Sequence, residues 1–298
     1  SLAGGILVSL GMVYFSNQIQ REVIFSDPGV EEAVRSAIGK PEGTIYQHQL
    51  STIVELNLSG RNIETLEGIE GLRNLRVLNL SNNRVQNLSH ITSLVKLQRL
   101  DLSGNQLADI SPLGQLPDLE ELLLRQNKIE DITALGKLSG LKVLDLSRNR
   151  VSEIEPLGKM FRLEELNLRE NRISDISPLA ELTNLTYLNL HSNSGIVDIA
   201  PVSNLTRLET LVLRNVPVGG QVSMLSSLRQ LRRLNLRNSG LDNAQPLVEL
   251  LLTGALQDDE ANGIHAELNL LENPLLLSAE DSFQGLRPYW QNITYRYP

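Results

Sequence analysis

From Leu97 to Asn184 the chain repeats one phrase four times without a gap: LQRLDLSGNQLADISPLGQLPD, LEELLLRQNKIEDITALGKLSG, LKVLDLSRNRVSEIEPLGKMFR and LEELNLRENRISDISPLAELTN. Leu97, Leu119, Leu141, Leu163 and Leu185 open successive copies, 22 residues apart. A unit this short cannot bury its own apolar face and must stack on its neighbours. The chain is therefore read as an array, and its 298 residues need not divide into ordinary globular domains.

Counting each copy from its first leucine as position 0, apolar residues fall at positions 0, 3, 5, 10, 13, 16 and 19. Alternation across positions 2 to 6 has the period of a strand, with 3 and 5 pointing inward and 2, 4 and 6 facing solvent. Position 8 is Asn83, Asn105, Asn127, Asn149, Asn171 and Asn193 in six successive copies, and Asn273 restores it near the end. An amide at that turn can bond its own and the next copy's backbone, so these asparagines are expected to form a ladder. Position 15 is proline in four copies (Pro112, Pro156, Pro178 and Pro201), which predicts an extended or single-turn helical back to each unit.

The flanks are looser. Residues 1–20 carry no charged side chain, and Leu2 to Phe15 is almost continuously apolar, which is expected of a membrane anchor or signal segment with further residues upstream. Residues 21–50 hold a helix signal: Asp27 as N-cap, Pro28 in the first turn, Val30, Ala33, Val34, Ala37 and Ile38 on one face, and Gly39 and Pro41 as the stop. A half-apolar helix placed there suits a cap on the array. Repeats are read over 51–277. They lose the position-8 asparagine at Val216 and Ser239, where irregularity is expected, and carry an insertion at about 251–265. Residues 278–298 are read as a C-terminal cap over the last open edge.

The phrase LxxLxLxxNxLxDIxPLxxLxx resembles the short bacterial leucine-rich repeat of internalin-like surface proteins, and VIFSDPGVEEAVRSAIGKPEGTIY resembles their N-terminal cap. The resemblance implies a right-handed curved solenoid of α/β class with a parallel sheet on the concave face and short helical or extended segments on the convex face. It also implies binding without catalysis. Repeats of the same length resemble the regulatory subunits of protein phosphatase 1 as well, which leaves an intracellular regulator as the alternative; the apolar N-terminus argues against it.

A formal net charge of −8 opposes general nucleic-acid binding, which needs a basic footprint. Cysteine is absent, and His48, His90, His191 and His265 are scattered at no ligand spacing, so no metal or other cofactor is expected. The acids at position 12 (Asp109, Asp131, Glu153 and Asp175) recur in every copy and read as caps of local backbone. His265 falls on an apolar repeat position, so the insertion offers no catalytic set.

Information about a partner lies in the positions the repeat leaves free. Position 6 runs Ser59, Ser81, Ser103, Arg125, Ser147, Arg169, His191, Arg214, Arg237; Tyr187 and Arg233 join from position 2. Arginine and tyrosine are enriched at interface hot spots, and Leu123 and Val212 add apolar residues at position 4, which is otherwise Asn or Asp. Two readings stand. The strip is a binding face for a protein or polysaccharide, or its arginines are paired internally with Glu121, Glu165 and Glu209. The protein is expected to be monomeric, touching membrane only through its N-terminal segment.

Overall fold

The computed structural model describes residues 21–258, 265–275, Leu286 and Pro288, and the backbone of Ile293–Thr294. The apolar segment 1–20 and the acidic turn of the insertion lie outside the described residues, as does most of the C-terminal tail. Among the described residues no helix is long and apolar enough to cross a membrane.

Among the described residues eleven short parallel strands form one sheet in strict chain order: β1 (Glu55–Asn57), β2 (Val77–Asn79), β3 (Arg99–Asp101), β4 (Glu121–Leu123), β5 (Val143–Asp145), β6 (Glu165–Asn167), β7 (Tyr187–Asn189), β8 (Thr210–Val212), β9 (Arg233–Asn235), β10 (Glu267–Asn269) and β11 (Ile293–Thr294). The register never slips. Leu78, Leu100, Leu122, Leu144 and Leu166 face one another strand by strand, and each is at most 1% exposed. Hydrogen bonding holds neighbouring strands about 4.8 Å apart, while bulkier turns on the far side need more room. The sheet therefore lines the concave face of a right-handed solenoid.

The far side is a stack of 3-10 turns, among them Ser111–Gln115, Thr133–Lys137, Glu155–Lys159 and Ser177–Glu181. Proline occupies the first turn of all of these but Thr133–Lys137, at a place where a missing N–H costs nothing. Helix α1 (Pro28–Ile38) closes the N-terminal end. Asp27 accepts from the Gly29 amide at 2.8 Å and from the Glu64 amide at 3.3 Å, tying the helix start to the first repeat. Val30, Ala33 and Val34 are buried and Ile38 is half-buried, while Ala37, expected on the same face, is exposed.

At the other end, helix α2 (Gln245–Leu252) replaces the 3-10 turn of the ninth repeat, so the apolar helical part begins before the insertion as it was read from the sequence. Leu256 is buried and its amide bonds Leu231 O at 2.6 Å, whereas His265 is exposed: the apolar position it was assigned is not filled by His265. Strand β11 pairs with β10, and Leu286 is buried.

Candidate functional site

Position 4 of the strand is less free than its sequence suggests. In eight of the ten repeat strands its Asn or Asp turns back and accepts the amide of position 6: Asn57 from Ser59, Asn79 from Ser81, Asp101 from Ser103, Asp145 from Ser147, Asn167 from Arg169, Asn189 from His191, Asn235 from Arg237 and Asn269 from Leu271, at 2.7 to 3.2 Å. This is an Asx-type closure of the strand end. Only Leu123 and Val212 give it up. Both are half-buried on the open face, and the Arg125 and Arg214 amides lack that acceptor.

The arginines of position 6 follow β4, β6, β8 and β9, with Ser147 after β5 and His191 after β7 between them. Their acidic partners are not the ones expected. Arg169 bonds Glu170, with Nη2 at 2.6 Å, and Arg148 reaches the other oxygen of the same carboxylate at 3.0 Å. Arg237 pairs with Glu272. Glu121 instead holds Arg99 at 2.8 Å, and Glu165 and Glu209 stay exposed without an ion pair among the described residues. Glu170 and Glu272 sit at position 7, which has a left-handed backbone in every repeat: Gly60, Asn82, Gly104, Gln126, Arg148, Glu170, Ser192, Asn215, Asn238 and Glu272 all have positive φ. That φ swings the position-7 side chain to the rim of the sheet, beside position 6. The column's Gly and Asn were the signal for it in the sequence.

Burial pushes the Glu170 carboxyl up, but its hydrogen bond to Arg169 and the charges of Arg169, Arg148 and His191 outweigh that and hold it below the usual range. Glu272 is held low by Arg237, with Arg214 adding a smaller pull. By contrast, the guanidinium groups of Arg125, Arg214 and Arg233 make no hydrogen bond or ion pair among the described residues, and Arg214 Nε is buried without a partner. The strip is thus partly neutralised at Arg169 and Arg237 and open between them.

His191 lies in that gap, buried between Arg169 and Arg214. Its Nδ1 is 3.0 Å from Arg214 O, and Ser192 Oγ is 3.4 Å from Nε2, which suits a neutral ring donating from Nδ1. Burial pushes its pKa below the ordinary value, and the two arginines push it further, against opposing pulls from the Arg214 carbonyl and Glu170. Beside it on β7, the Tyr187 hydroxyl accepts from Asn189 Nδ2 at 3.2 Å. Thr210 and Val212 follow on β8, in register with Tyr187 and Asn189 on one side and Arg233 and Asn235 on the other, and Arg214 lies just past the strand.

The position-8 asparagines hold the rim. Asn83 Nδ2 donates to Leu58 O and Leu80 O at 2.8 and 2.9 Å, while its oxygen accepts from the Ile63 amide at 3.0 Å. Asn105, Asn127, Asn149, Asn171 and Asn193 repeat the set, so each bonds its own and the preceding copy rather than the next. Asn273 spans the insertion to do the same for Leu236 and Leu241. Where the column fails, other groups substitute. Gln221 bonds the Ile199 amide, and Asn238 to Asn215 to Ser192 form a second short ladder one position earlier.

On the convex side a cavity of about 550 Å³ is lined by Asp109, Ser111, Asp131, Thr133 and Lys137. Its acids are occupied: Asp109 and Asp131 accept the amides of Ser111 and Thr133 at 2.8 Å, as Asp175 two repeats on accepts that of Ser177; hydrogen bonds from those same residues, first from the hydroxyl in the case of Thr133, keep the three pKa values low. Among the described residues no three His, Cys, Asp or Glu side chains gather closely enough to hold a metal.

Comparison with known proteins bears on this geometry. The family model of paired leucine-rich repeats matches residues 95–137, 117–159 and 161–204, and a second leucine-rich-repeat model matches 51–107. An internalin from Listeria monocytogenes, InlF, is similar in structure at 28% identity and a TM-score of 0.71, covering 94% of this chain and 89% of its own. Internalin C2 from the same organism is 33% identical with a TM-score of 0.53, over 62% of this chain and 92% of its own. The PEPR1–AtPEP1 structure shares the fold alone, at 22% identity, a TM-score of 0.58, and coverage of 76% of this chain and 33% of that one. No curated protein matches the chain by sequence. Leucine-rich-repeat proteins are protein-binding scaffolds, and by its repeats and its likeness to two internalins this chain belongs to the internalin-like leucine-rich-repeat family.

Proposed function

We propose that this protein is a non-catalytic, extracytoplasmic scaffold that recognises a protein or polysaccharide on its concave face, working as a monomer. The observation that carries the reading is position 6. Serine there gives way to arginine and histidine over β6 to β9, and three guanidinium groups along the face, those of Arg125, Arg214 and Arg233, have no partner among the described residues. Such groups suit carboxylates. Tyr187, Leu123 and Val212 add contact area around them, with His191, Arg169 and Arg237 completing the strip. The net charge of −8 turns nucleic acid away. The similar internalins support a surface location, with residues 1–20 as the tether.

A photo-cross-linking side chain placed at Thr210, on the open face, is expected to capture a partner on intact cells that the same group at Lys137, on the convex side, does not. Arg214→Glu with Arg233→Glu should abolish capture and leave the melting temperature unchanged. Capture from Lys137 alone would overturn the site. Protease resistance in intact cells, with sensitivity only after lysis, would overturn the location.

A further inference from the structure

The two departures from the position-4 closure are not alike in their surroundings. Leu123 lies on β4 with Asp101 and Asp145 directly beside it in register, one on each neighbouring strand. Glu121 precedes it, joined to Arg99, and Arg125 follows. Val212 lies on β8 between two neutral amides, Asn189 and Asn235. Around it stand the unpaired Arg214 and Arg233, with Arg237 held by Glu272 at the rim, and positions 2, 4 and 6 of β7 to β9 carry no acid. Four strand intervals separate the two residues, about 19 Å at ordinary strand spacing. At each of the two, a backbone hydrogen bond used by every other repeat has been exchanged for an apolar side chain on the open face. That exchange costs the fold something and gives the core nothing.

We infer that the concave face takes a protein partner bearing two apolar side chains about 19 Å apart, the one over Leu123 set among basic residues and the one over Val212 among acidic residues. This rests on the concave-face reading above and narrows its partner class. A polyanionic glycan laid along the face would meet Asp101 and Asp145 and offer Leu123 nothing. A protein surface supplies both signs of charge and the apolar anchors between them.

The test uses the full chain and a phage-displayed library of small helical proteins with one randomised face, since about 13 helical residues span the interval. Binders are expected to combine basic and acidic residues around apolar ones. Leu123→Asn and Val212→Asn should each weaken them about tenfold or more, the loss typical of a buried interface anchor. Both variants should melt at or above the wild-type temperature, because each restores an acceptor for the position-6 amide. A fall in melting temperature would assign the two residues to the fold and overturn the inference, as would a library that enriches nothing. Uniformly acidic binders that ignore Leu123→Asn but fail on Arg214→Glu would overturn the two-anchor inference while leaving the concave face as the site. Binders indifferent to all three substitutions would overturn both.

Discussion

At the scale of single residues, this chain separates side chains that serve the backbone from those that face a partner. The asparagines of positions 4 and 8 belong to the first class: their amide groups are consumed by strand ends and turns that would otherwise be orphaned. His191 belongs to both. It receives the position-4 closure through its own amide and sits between two arginines on the open face. Its pKa is depressed in the fold, so between that value and the ordinary one, about 6.5, the unfolded chain binds a proton that the folded protein resists. The associated stability is complete above about pH 6.5 and is lost as pH falls through the folded value. Urea midpoints measured between about pH 5 and pH 7.5 should therefore fall on acidification, and His191→Gln should flatten that slope; an unchanged slope would show that another group is responsible.

At the scale of elements, the decisive contacts are places where backbone approaches backbone. Gly68 has φ of 97°, and a β-carbon there would stand 2.3 Å from Ile24 O and 2.9 Å from Phe25 Cα. Only glycine lets residues 24–25 of the N-terminal cap lie across the first repeat. Gly68→Ala should push that segment away, so amide exchange is expected to accelerate across α1 and residues 22–25 while β4 to β7 keep their protection. Uniform acceleration across the whole chain would instead mean that the cap and the repeats open as one unit. Gly219 plays the equivalent part where the asparagine column fails. Its β-carbon would meet Gly240 and Leu241 backbone at 2.3 Å, and its amide bonds Ser239 O. The irregular VPVGG stretch is thus a closer stacking of two repeats, followed by the lengthened turn Gly219–Ser227, and the sheet passes it without a change of register.

At the scale of the molecule, each repeat touches only its neighbours, so stability is close to a sum of interface terms along one axis. A defect in the middle should then divide the array rather than dissolve it. Leu144, on β5, is enclosed by Leu122 and Leu166 on the adjoining strands. Leu144→Ala is expected to cost about 3 kcal/mol locally. Its denaturant unfolding should show two separated transitions by circular dichroism where the wild type shows one; a single shifted transition would show coupling stronger than nearest-neighbour contact. The same one-dimensional build explains how the open face can differ in charge between β3–β5 and β7–β9, since a repeat constrains the surface residues of its immediate neighbours alone, as in Arg99–Glu121 and Arg148–Glu170.

Much of this architecture was written in the local sequence. A strict period, leucines at seven positions and proline at the back dictate stacking, because a unit of 22 residues has nowhere else to bury its apolar side. The capping role of Asp27 and of Asp109, Asp131 and Asp175 was legible for the same reason: each acts on backbone two residues away, whereas Glu153, one methylene longer, makes no such bond among the described residues. What the repeat grammar could not reveal depends on contacts between copies or on the sign of φ. Position 4 looked free until its side chains were seen to close on position 6. Glu170 and Glu272, rather than Glu121, Glu165 and Glu209, became the partners of the arginines because a left-handed residue at position 7 turns its side chain toward the strip. Position in the period determined which face each residue occupies; only the folded backbone decided which of the residues on that face are already spoken for.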